Sequence, residues 1–505
     1  MGKSKKLSMF NFLALTALMV LTVYEYPTFA TAKLHSLFFV ILFGIFWFLP
    51  LSLVCAEMAS VKGWEEGGVY GWVSNALGEK WGFAAIFFEW FQSTVGFVTM
   101  SYFILGAFAY IFNWPALNEN PLIKFIGVLV IFWSLTLLQL SGTKKTAQLD
   151  QIGFIAGILF PSIFFLILAL IYIFKGGTLQ IKFGWNEFIP NFTQLSTLVV
   201  ASSLILAFGG IEASAPHVNE LKNPSKNYPL VILILTILTI FLDGAGGLSV
   251  ATVVPQKDLS LSAGVVQAFK SLLLNLDSSL NWLVKIMAFL IAFGVISEVG
   301  SWIIGPSKGM YVAAQKGLMP KIFRKLNKHD VPVPILILQG IIVSIWDAVL
   351  TFGGGSDNVS FLAAVSLTVV IYLLCYILIF TSYFSLVYKY PHKERSYNAV
   401  KSKAGKTILA TFGLLLSIFA FLISFVTPSS LPKSQGHIYQ VVLIGSFLIA
   451  VILPFIIYAF RKHFGGQNQN FTIHHLHSED VNKFVHPMGR PEYLTEKEFN
   501  EKKKK

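Results

Sequence analysis

The sequence has few charged residues, and this scarcity determines its class. Only 12% of the 505 residues are Asp, Glu, Lys or Arg, against about 25% in soluble domains. A soluble globular enzyme is therefore excluded. Hydrophobic residues make up 55% of the chain and occur in runs of about 20, which also excludes a disordered chain and a coiled coil.

Cysteine is equally scarce, and the signatures of several function classes are missing. Cys55 and Cys375 each lie alone inside an apolar run, which excludes a disulfide scaffold and predicts membrane-buried packing. There is no His-x-x-x-His pair, phosphate-binding loop or Gly-x-Ser-x-Gly elbow, so we expect neither an enzyme nor a metal or other cofactor. The net charge of +13 is not gathered into a basic patch interleaved with aromatic residues, so nucleic acid is not an expected partner.

Long apolar segments are what the sequence does contain. A transmembrane helix needs about 20 mostly apolar residues to cross about 30 Å of hydrocarbon. Twelve segments meet this requirement, so we predict an all-α integral membrane protein whose surroundings are the lipid bilayer. The predicted spans are 8–31, 35–57, 81–112, 122–141, 150–174, 196–218, 228–254, 283–306, 333–351, 359–388, 407–427 and 438–460.

The distribution of Lys and Arg predicts the orientation of these spans. When residues 1–7 are placed in the cytoplasm, most of the basic residues fall in the inner loops and in the tail from Arg461 onward. This asymmetry follows the positive-inside rule, so both termini are predicted to be cytoplasmic. The exceptions, outside or at outer helix ends, are Lys33, Lys124, Lys175, Lys182, Lys257, Lys270, Lys285 and Lys433.

Two of the predicted spans contain residues that interrupt a helix. The first includes the run Val23-Tyr24-Glu25-Tyr26-Pro27, and the sixth includes Gly209, Gly210 and Glu212 ahead of a proline. Proline removes an amide donor, glycine loosens the helix, and a carboxylate is costly in hydrocarbon. Either segment alone is equally consistent with an ordinary kink beside a buried acid.

The spacing of the two interrupted spans indicates a repeat. They are five spans apart and so occupy corresponding positions if residues 8–174 and 196–388 are two copies of one unit. An odd number of helices per copy inverts the second copy, and paired broken helices are typical of transporter substrate sites. We predict a five-plus-five inverted repeat with broken helices 1 and 6, followed by two peripheral helices in 407–460.

Further polar residues in the spans are candidate site residues. Glu298 and Trp302 are four positions apart, as are Tyr372 and Tyr376, so each pair shares one helix face. An intramembrane acid such as Glu298 favours a functional role, whereas the two tyrosines taken alone favour core packing over ligand binding.

The ends of broken helices favour one class of ligand. Amides freed at a helix N-terminus suit a carboxylate, and carbonyls freed at a C-terminus suit an ammonium group, so a zwitterionic amino acid matches both. Glu89 and Asp243 are intramembrane acids too, but no pattern assigns them a role.

Several of these segments together resemble a known family. The sequence closely resembles the bacterial glutamate/GABA antiporters of the amino acid, polyamine and organocation superfamily from about residue 7 to 460. The resemblance is carried by 23–30, 56–68, 210–214, 217–220 and 301–311.

The resemblance implies a function and a set of transport residues. It implies exchange of external glutamate for internal 4-aminobutyrate (GABA) by alternating access, in the bacterial inner membrane and at acidic pH, as a contribution to acid resistance. It also implies functional coupling to a cytoplasmic glutamate decarboxylase that consumes a proton. The transport-path residues it implies are Tyr24, Glu212, Glu298, Trp302, Tyr372 and Tyr376.

The charges of the central segments constrain the form of the substrate. No Lys or Arg lies in the segments around Glu25, Glu212 and Glu298, so a second negative charge on glutamate would meet no fixed cation. The side-chain pKa of free glutamate is about 4.3. We therefore expect the net-neutral form to be preferred, and uncharged glutamine to be accepted as well.

The C-terminal tail, 461–505, differs in composition from the rest of the chain. It is polar and contains His463, His474, His475, His477 and His486. Histidine titrates near pH 6.5, so acid would add positive charge beside basic loops. We expect a pH-sensitive plug that acid releases, an idea that the family resemblance also supports. A disordered solubilising tail and a histidine-rich metal binder are the alternatives.

Two other transport functions remain open at this point. One is a different amino acid exchanger or proton-coupled importer of the same superfamily, which counterflow with GABA would distinguish. The other is a channel, which would lack saturable one-for-one exchange.

Overall fold

The computed structural model describes residues 8–64, 67–141, 151–214, 221–353, 356–429 and 431–463. Within these ranges the regular elements are helices, without any named strand, and an isolated bridge pairs Val61 with Arg395. Ten of the described helices are long and apolar enough to cross a membrane. The all-α membrane fold expected from the sequence is therefore confirmed.

The helices are numbered here in chain order. The first half contains α1 (Met9–Val20), α2 (Tyr26–Ala30), α3 (His35–Phe43), α4 (Leu49–Ala59), α5 (Val69–Leu77), α6 (Glu79–Ile111), α7 (Ala116–Glu119), α8 (Pro121–Gln139), α9 (Phe160–Phe174) and α10 (Trp185–Phe188). The second half contains α11 (Leu195–Leu198), α12 (Val200–Leu206), α13 (Ile211–Ser214), α14 (Pro224–Val253), α15 (Gly264–Leu276), α16 (Asn281–Gln315), α17 (Val333–Gly353), α18 (Asp357–Lys389), α19 (Lys403–Ile423) and α20 (Lys433–Ala459).

Wider π-helical turns and short 3-10 turns extend several of these helices. The π turn Gly44–Phe48 joins α3 to α4, and the π turn Gly153–Leu159 leads into α9. The 3-10 turns are Gln256–Asp258, Ser278–Leu280, Lys321–Arg324 and Phe460–Lys462.

Most helix limits lie within a few residues of the predicted spans, and α16 is the main exception. The eighth span was predicted to end at residue 306, but the helix continues through Pro306 to Gln315. Proline is tolerated inside membrane helices because neighbouring groups satisfy the freed backbone. The helix therefore extends beyond the apolar segment that predicted the span.

Burial separates central helices from peripheral ones. In the most apolar stretches of α6 and α18, 83% of the residues are buried, against 22% for α8 and for α20. Apolar side chains that protein does not cover require lipid around them. We conclude that α6 and α18 form the centre of the molecule and that α8 and α20 lie at its edge.

Glycine permits two close helix contacts near this centre. The backbones of Gly157, in the second π turn, and Gly294, in α16, touch directly, because a Cβ added to Gly294 would lie 2.6 Å from the carbonyl oxygen of Gly157. On α14, Gly246 lies against the ring of Tyr26. That ring belongs to α2, and its hydroxyl lies 3.0 Å from the Ser162 hydroxyl of α9.

Candidate functional site

Both interruptions predicted from the sequence are present. Helix α1 ends at Val20 and α2 begins at Tyr26, so five residues between them are outside any helix. Helix α12 ends at Leu206 and α13 begins at Ile211. Pro27 lies in the first turn of α2, where the missing amide costs nothing and the fixed φ favours the start of a helix.

The two interruptions pack against each other through Gly210. Its φ is +104°, a conformation that glycine adopts far more readily than other residues. A Cβ added at Gly210 would collide with the carbonyl oxygen of Met19, at the end of α1, and would lie 3.0 Å from the Trp302 ring. The glycine therefore permits the contact that brings the two broken segments together.

A cavity of about 40 Å³ lies at this junction. A buried water needs about 10–15 Å³ of such space, so the cavity has room for only a few water molecules. An amino acid would require its walls to move apart. Its lining is Met19, Val20, Thr22, Tyr24, Glu25, Gln92, Ser93, Gly96, Phe97, Met100, Leu206, Gly209, Glu298, Trp302, Thr368 and Tyr372.

Two carboxylates in the cavity wall are buried and differently satisfied. Glu298, 3% exposed, accepts a hydrogen bond of 3.2 Å from the Thr22 hydroxyl. Glu25 is 1% exposed, and neither of its carboxylate oxygens has a hydrogen-bond partner among the described residues. A buried carboxylate without partners is costly, and an ammonium group would satisfy it.

A third acid, Glu212, is held behind the cavity wall. Its carboxylate accepts hydrogen bonds from the hydroxyls of Tyr372 and, at 3.1 Å, Tyr376. The Tyr376 hydroxyl also accepts a bond of 3.1 Å from the Gly210 amide. The pair of tyrosines expected to share a helix face thus ties α18 to the second interruption.

Aromatic rings extend this arrangement toward the cavity. The rings of Tyr372 and Tyr376 are 4.4 Å apart, and the Trp302 ring meets Tyr372 edge-on at 6.4 Å. On the other side, Trp47 meets Tyr376 edge-on at 4.9 Å. Such contacts fix ring positions and give the cavity an apolar wall.

The structure therefore divides the residues chosen from the sequence into two groups. Those that line the cavity are Tyr24, Glu25, Gly209, Glu298, Trp302 and Tyr372. Those that lie next to it, in the network around the second interruption, are Gly210, Glu212 and Tyr376.

Sequence reasoning missed several polar residues of the cavity wall. Thr22, Gln92, Ser93 and Thr368 contribute to it. Three of them lie on α6 and α18, whose sequences are apolar on all sides and indicate no particular face. Thr22 could have been predicted as a site residue, because it lies in the interrupted first span, two positions before Tyr24.

The histidines chosen in the tail lie almost entirely beyond the structure. His463 is described, and its ring lies 5.9 Å from that of Phe460. His474, His475, His477 and His486 are outside the described residues, so their predicted role as pH sensors stays a prediction.

A second buried ionic cluster, which we call the Glu57 cluster, lies at the end of α4. The fully buried Glu57 carboxylate accepts hydrogen bonds from Arg395 at 2.7 Å, from Tyr383 at 2.7 Å and from the Ala399 amide at 2.9 Å. Lys406 forms an ion pair with it as well. One carboxylate thus fixes the segment between α18 and α19 to the end of α4.

Next to the Glu57 cluster, two loop groups have shifted pKa values. Burial raises the pKa of the Tyr397 hydroxyl, and the nearby Glu57 carboxylate adds to the effect. The pKa of the Glu394 carboxyl is lowered by the hydrogen bond and the charge of Lys62, 2.7 Å away. The ion pair of Glu394 with Lys62 is exposed to solvent and so contributes little to stability.

Two acids to which the sequence assigned no role, Glu89 and Asp243, are also buried in the membrane-spanning part. Both carboxylate oxygens of Asp243 and the Oε2 atom of Glu89 have no hydrogen-bond partner among the described residues. Neither acid lines the cavity.

Comparison with known proteins gives a consistent set of relatives. The model of the amino acid permease family matches residues 7–447. A protein of Lactococcus lactis named glutamate/gamma-aminobutyrate antiporter is 56% identical over 97% of both chains. An uncharacterized transporter of Legionella pneumophila is 30% identical over 90% of this chain and 97% of its own. A probable agmatine/putrescine antiporter of Lactococcus lactis is 24% identical over 81% and 85%.

Proposed function

Since the chain belongs to the amino acid permease family, we propose that it exchanges external glutamate for internal GABA by alternating access. The observation that carries this proposal is the 56% identity, over nearly the whole chain, to an antiporter named for these two substrates. The chain is a multi-pass membrane transporter, and the names of its relatives indicate transport rather than catalysis.

The proposed membrane topology adds the two broken segments to the ten long helices. The chain then crosses the membrane twelve times, with inverted repeats in 8–174 and 196–388 and peripheral helices in 407–460. The contact of the two interruptions, five crossings apart, supports this arrangement. The basic inner loops support cytoplasmic termini in a bacterial inner membrane.

The two substrates share the groups that the cavity would bind. GABA is glutamate without the α-carboxylate, so both molecules have an ammonium group separated from a carboxyl group by the same carbon chain. Glu25 and Glu298 would accept the ammonium group, and the hydroxyls and amide of Thr22, Ser93 and Gln92 would bind a neutral carboxyl group.

The absence of a cation defines the proposed ionic form. Within the part of the chain that the structure describes, no Lys or Arg lines this cavity. The glutamate anion has two carboxylates of its own, and it would bring both into a cavity whose wall already contains Glu25 and Glu298. We propose that the net-neutral form is carried inward, and that glutamine is accepted because it is uncharged and nearly isosteric.

The remaining site residues would position the substrate and the second interruption. Tyr24 and Trp302 would pack on the aliphatic chain, while Glu212 would hold Tyr372 and Tyr376 in place. The hydrogen bonds of the two acids support this division, since Glu212, behind the cavity wall, already has partners and Glu25, in the wall, has none among the described residues.

Exchange of these substrates would give the cell a means of acid resistance. Decarboxylation of glutamate consumes one proton and releases carbon dioxide and GABA, so a cytoplasmic glutamate decarboxylase would supply the internal substrate. The exchanger would then export GABA and import fresh glutamate. The histidines of 461–505 would restrict this cycle to acid, by holding a plug in the inner vestibule until they are protonated.

A second candidate is exchange of cationic amines. Two carboxylates without a fixed cation in the cavity favour it, and a relative is named a probable agmatine/putrescine antiporter. Its identity of 24% is less than half that of the glutamate/gamma-aminobutyrate antiporter.

Reconstitution separates these functions. Purified protein in liposomes loaded with GABA is assayed for uptake of labelled glutamate, glutamine, arginine and putrescine from pH 4.5 to 8. Uptake of glutamate that requires internal GABA supports the proposal, and uptake of putrescine or arginine alone supports the second candidate. Glutamate uptake that follows the anion concentration from pH 5 to 7 would contradict transport of the neutral form.

A further inference from the structure

A second and larger cavity lies one helical turn from the first. Its volume is about 260 Å³. It is lined by Thr28, Thr31, Ala32, Lys33, His35, Glu187, Val199, Val200, Ser203, Gln256, Leu362, Ser366, Pro428 and Ser429. We call it the outer cavity, because the proposed topology places these residues on the external side.

The outer cavity and the central one share three helical walls. Thr28, on α2, follows Glu25, the residue just before that helix, by three positions, and on α12 Ser203 precedes Leu206 by three. On α18, Ser366 of the outer cavity is followed by Thr368 of the central one. At 1.5 Å per residue the two spaces are about 5 Å apart along these helices. The outer cavity therefore lies next to the central cavity, on its external side in the proposed topology.

The lining of the outer cavity differs from that of the central one in charge. It contains the cation Lys33, the imidazole of His35 and the carboxylate of Glu187. Within the described ranges, neither Lys33 nor Glu187 is engaged in an ion pair. Charges of both signs thus face one space and remain available to a ligand.

Two buried polar atoms at this cavity also lack partners. Thr28 is 1% exposed, and its hydroxyl has no hydrogen-bond partner among the described residues. The same is true of Nδ1 of His35. A buried hydroxyl without a partner is costly, and a ligand in the cavity would remove that cost.

We propose that the outer cavity is an entry site that binds the glutamate anion before it reaches the central cavity. Lys33, His35 and the Thr28 hydroxyl would bind its carboxylates, and Glu187 its ammonium group. No Lys or Arg of the described residues lines the central cavity, so the side-chain carboxylate would take up a proton from the acidic external solution before it moves inward. This inference rests on the proposed function. It gives the glutamate anion a binding site with a cation, Lys33, whereas no Lys or Arg of the described residues lines the central cavity.

Sided kinetics test the entry site. Right-side-out membrane vesicles loaded with GABA are assayed with external glutamate, comparing wild type with Lys33→Gln and Thr28→Val. We expect each substitution to raise the half-saturating concentration of external glutamate by about fivefold, the effect of about 1 kcal/mol. The half-saturating concentration of internal GABA and the maximal rate should not change, which also shows that the variants are folded.

Lys257→Gln is the matched control. Lys257 is exposed on the turn next to Gln256, but it does not line the outer cavity. An equal effect of this substitution would indicate general attraction of anions and overturn the proposal. Wild-type values in both Lys33→Gln and Thr28→Val would overturn it as well.

Failure of the proposed function would be visible separately. If wild-type vesicles take up no glutamate, the proposed exchange is wrong, and the outer cavity is then tested by binding of labelled glutamate to the purified protein. Weaker binding by Lys33→Gln than by Lys257→Gln supports the entry site, and equal binding overturns it.

Discussion

The hydroxyl of Tyr376 accepts a hydrogen bond of 3.1 Å from the backbone amide of Gly210. The same hydroxyl donates to Glu212. One oxygen atom therefore connects a long central helix to the interruption between α12 and α13. A phenylalanine at this position would keep the ring contacts and remove both bonds, which separates the polar role of the residue from its packing role.

We expect Tyr376→Phe to slow exchange by about tenfold or more, because the substitution leaves a buried amide and a carboxylate less satisfied. Tyr228→Phe is the matched control, since Tyr228 is equally buried and its hydroxyl donates to the Ser52 carbonyl away from the cavity. Initial rates of GABA-driven glutamate uptake measure the effect. Equal rates for the two variants would contradict a special role of Tyr376.

The cavity-lining carboxylate of Glu298 should matter more for transport than for folding. We expect Glu298→Gln to reduce exchange by about 30-fold or more, the effect of losing a charge-assisted bond to the substrate ammonium group. Asp347→Asn is a matched control, because Asp347 is fully buried and does not line the cavity. Exchange at the wild-type rate in Glu298→Gln would show that this acid has only a structural role.

The positive φ of Gly210 makes a third prediction. Gly210→Ala should destabilise the protein by about 1–3 kcal/mol, because alanine rarely adopts this conformation and its Cβ would collide with the Met19 carbonyl. Gly445→Ala is the control, since Gly445 lies inside α20 with open space around it. Thermal unfolding in detergent measures both variants. A similar midpoint for the two would show that the interruptions do not need this contact.

The Glu57 cluster predicts a large loss of stability on neutralisation. Glu57→Gln would leave Arg395 and Lys406 buried against an uncharged partner, and breaking such a buried pair costs about 3–5 kcal/mol. Glu394→Gln, in the exposed pair with Lys62, should leave the unfolding midpoint unchanged. If thermal unfolding of both variants has the same midpoint as that of the wild type, the cluster does not stabilise the fold.

The histidine-rich tail gives a prediction that needs no structure. Deletion of 465–505 should permit exchange near pH 7, because the proposed plug would be missing. Deletion of 487–505 alone removes the lysine-rich end but retains His474, His475, His477 and His486, so it should keep the pH dependence of the full chain. If the rate of exchange has the same pH dependence after the longer deletion as in the full chain, the proposed plug is wrong.

The sequence predicted the helical class and both interruptions because their causes are local. Pro27 fixes the start of α2, and Gly210 permits a backbone conformation that ends α12, so each break is determined within a few residues. The same holds for the shared face of Tyr372 and Tyr376, which follows from helical spacing alone.

Contacts between distant segments could not be derived in this way. That both tyrosines reach Glu212, 160 and 164 positions earlier, depends on how α18 packs against the second interruption. The Glu57 cluster was missed for a related reason. Arg395 and Lys406 lie between the predicted spans 359–388 and 407–427, where membrane orientation is a sufficient explanation of basic residues. Nothing in their spacing identifies a buried partner.

The backbone contact of Gly157 with Gly294 has a consequence for motion. Two helices that touch main chain to main chain have no flexible side chains between them, so a rotation of either would drive neighbouring Cβ atoms into the other. The π turn Gly153–Leu159 and α16 should therefore move as one rigid frame. We expect the hinges that open the binding cavity to one side and then the other to lie elsewhere, and the non-helical residues 21–25 and 207–210 are the candidates.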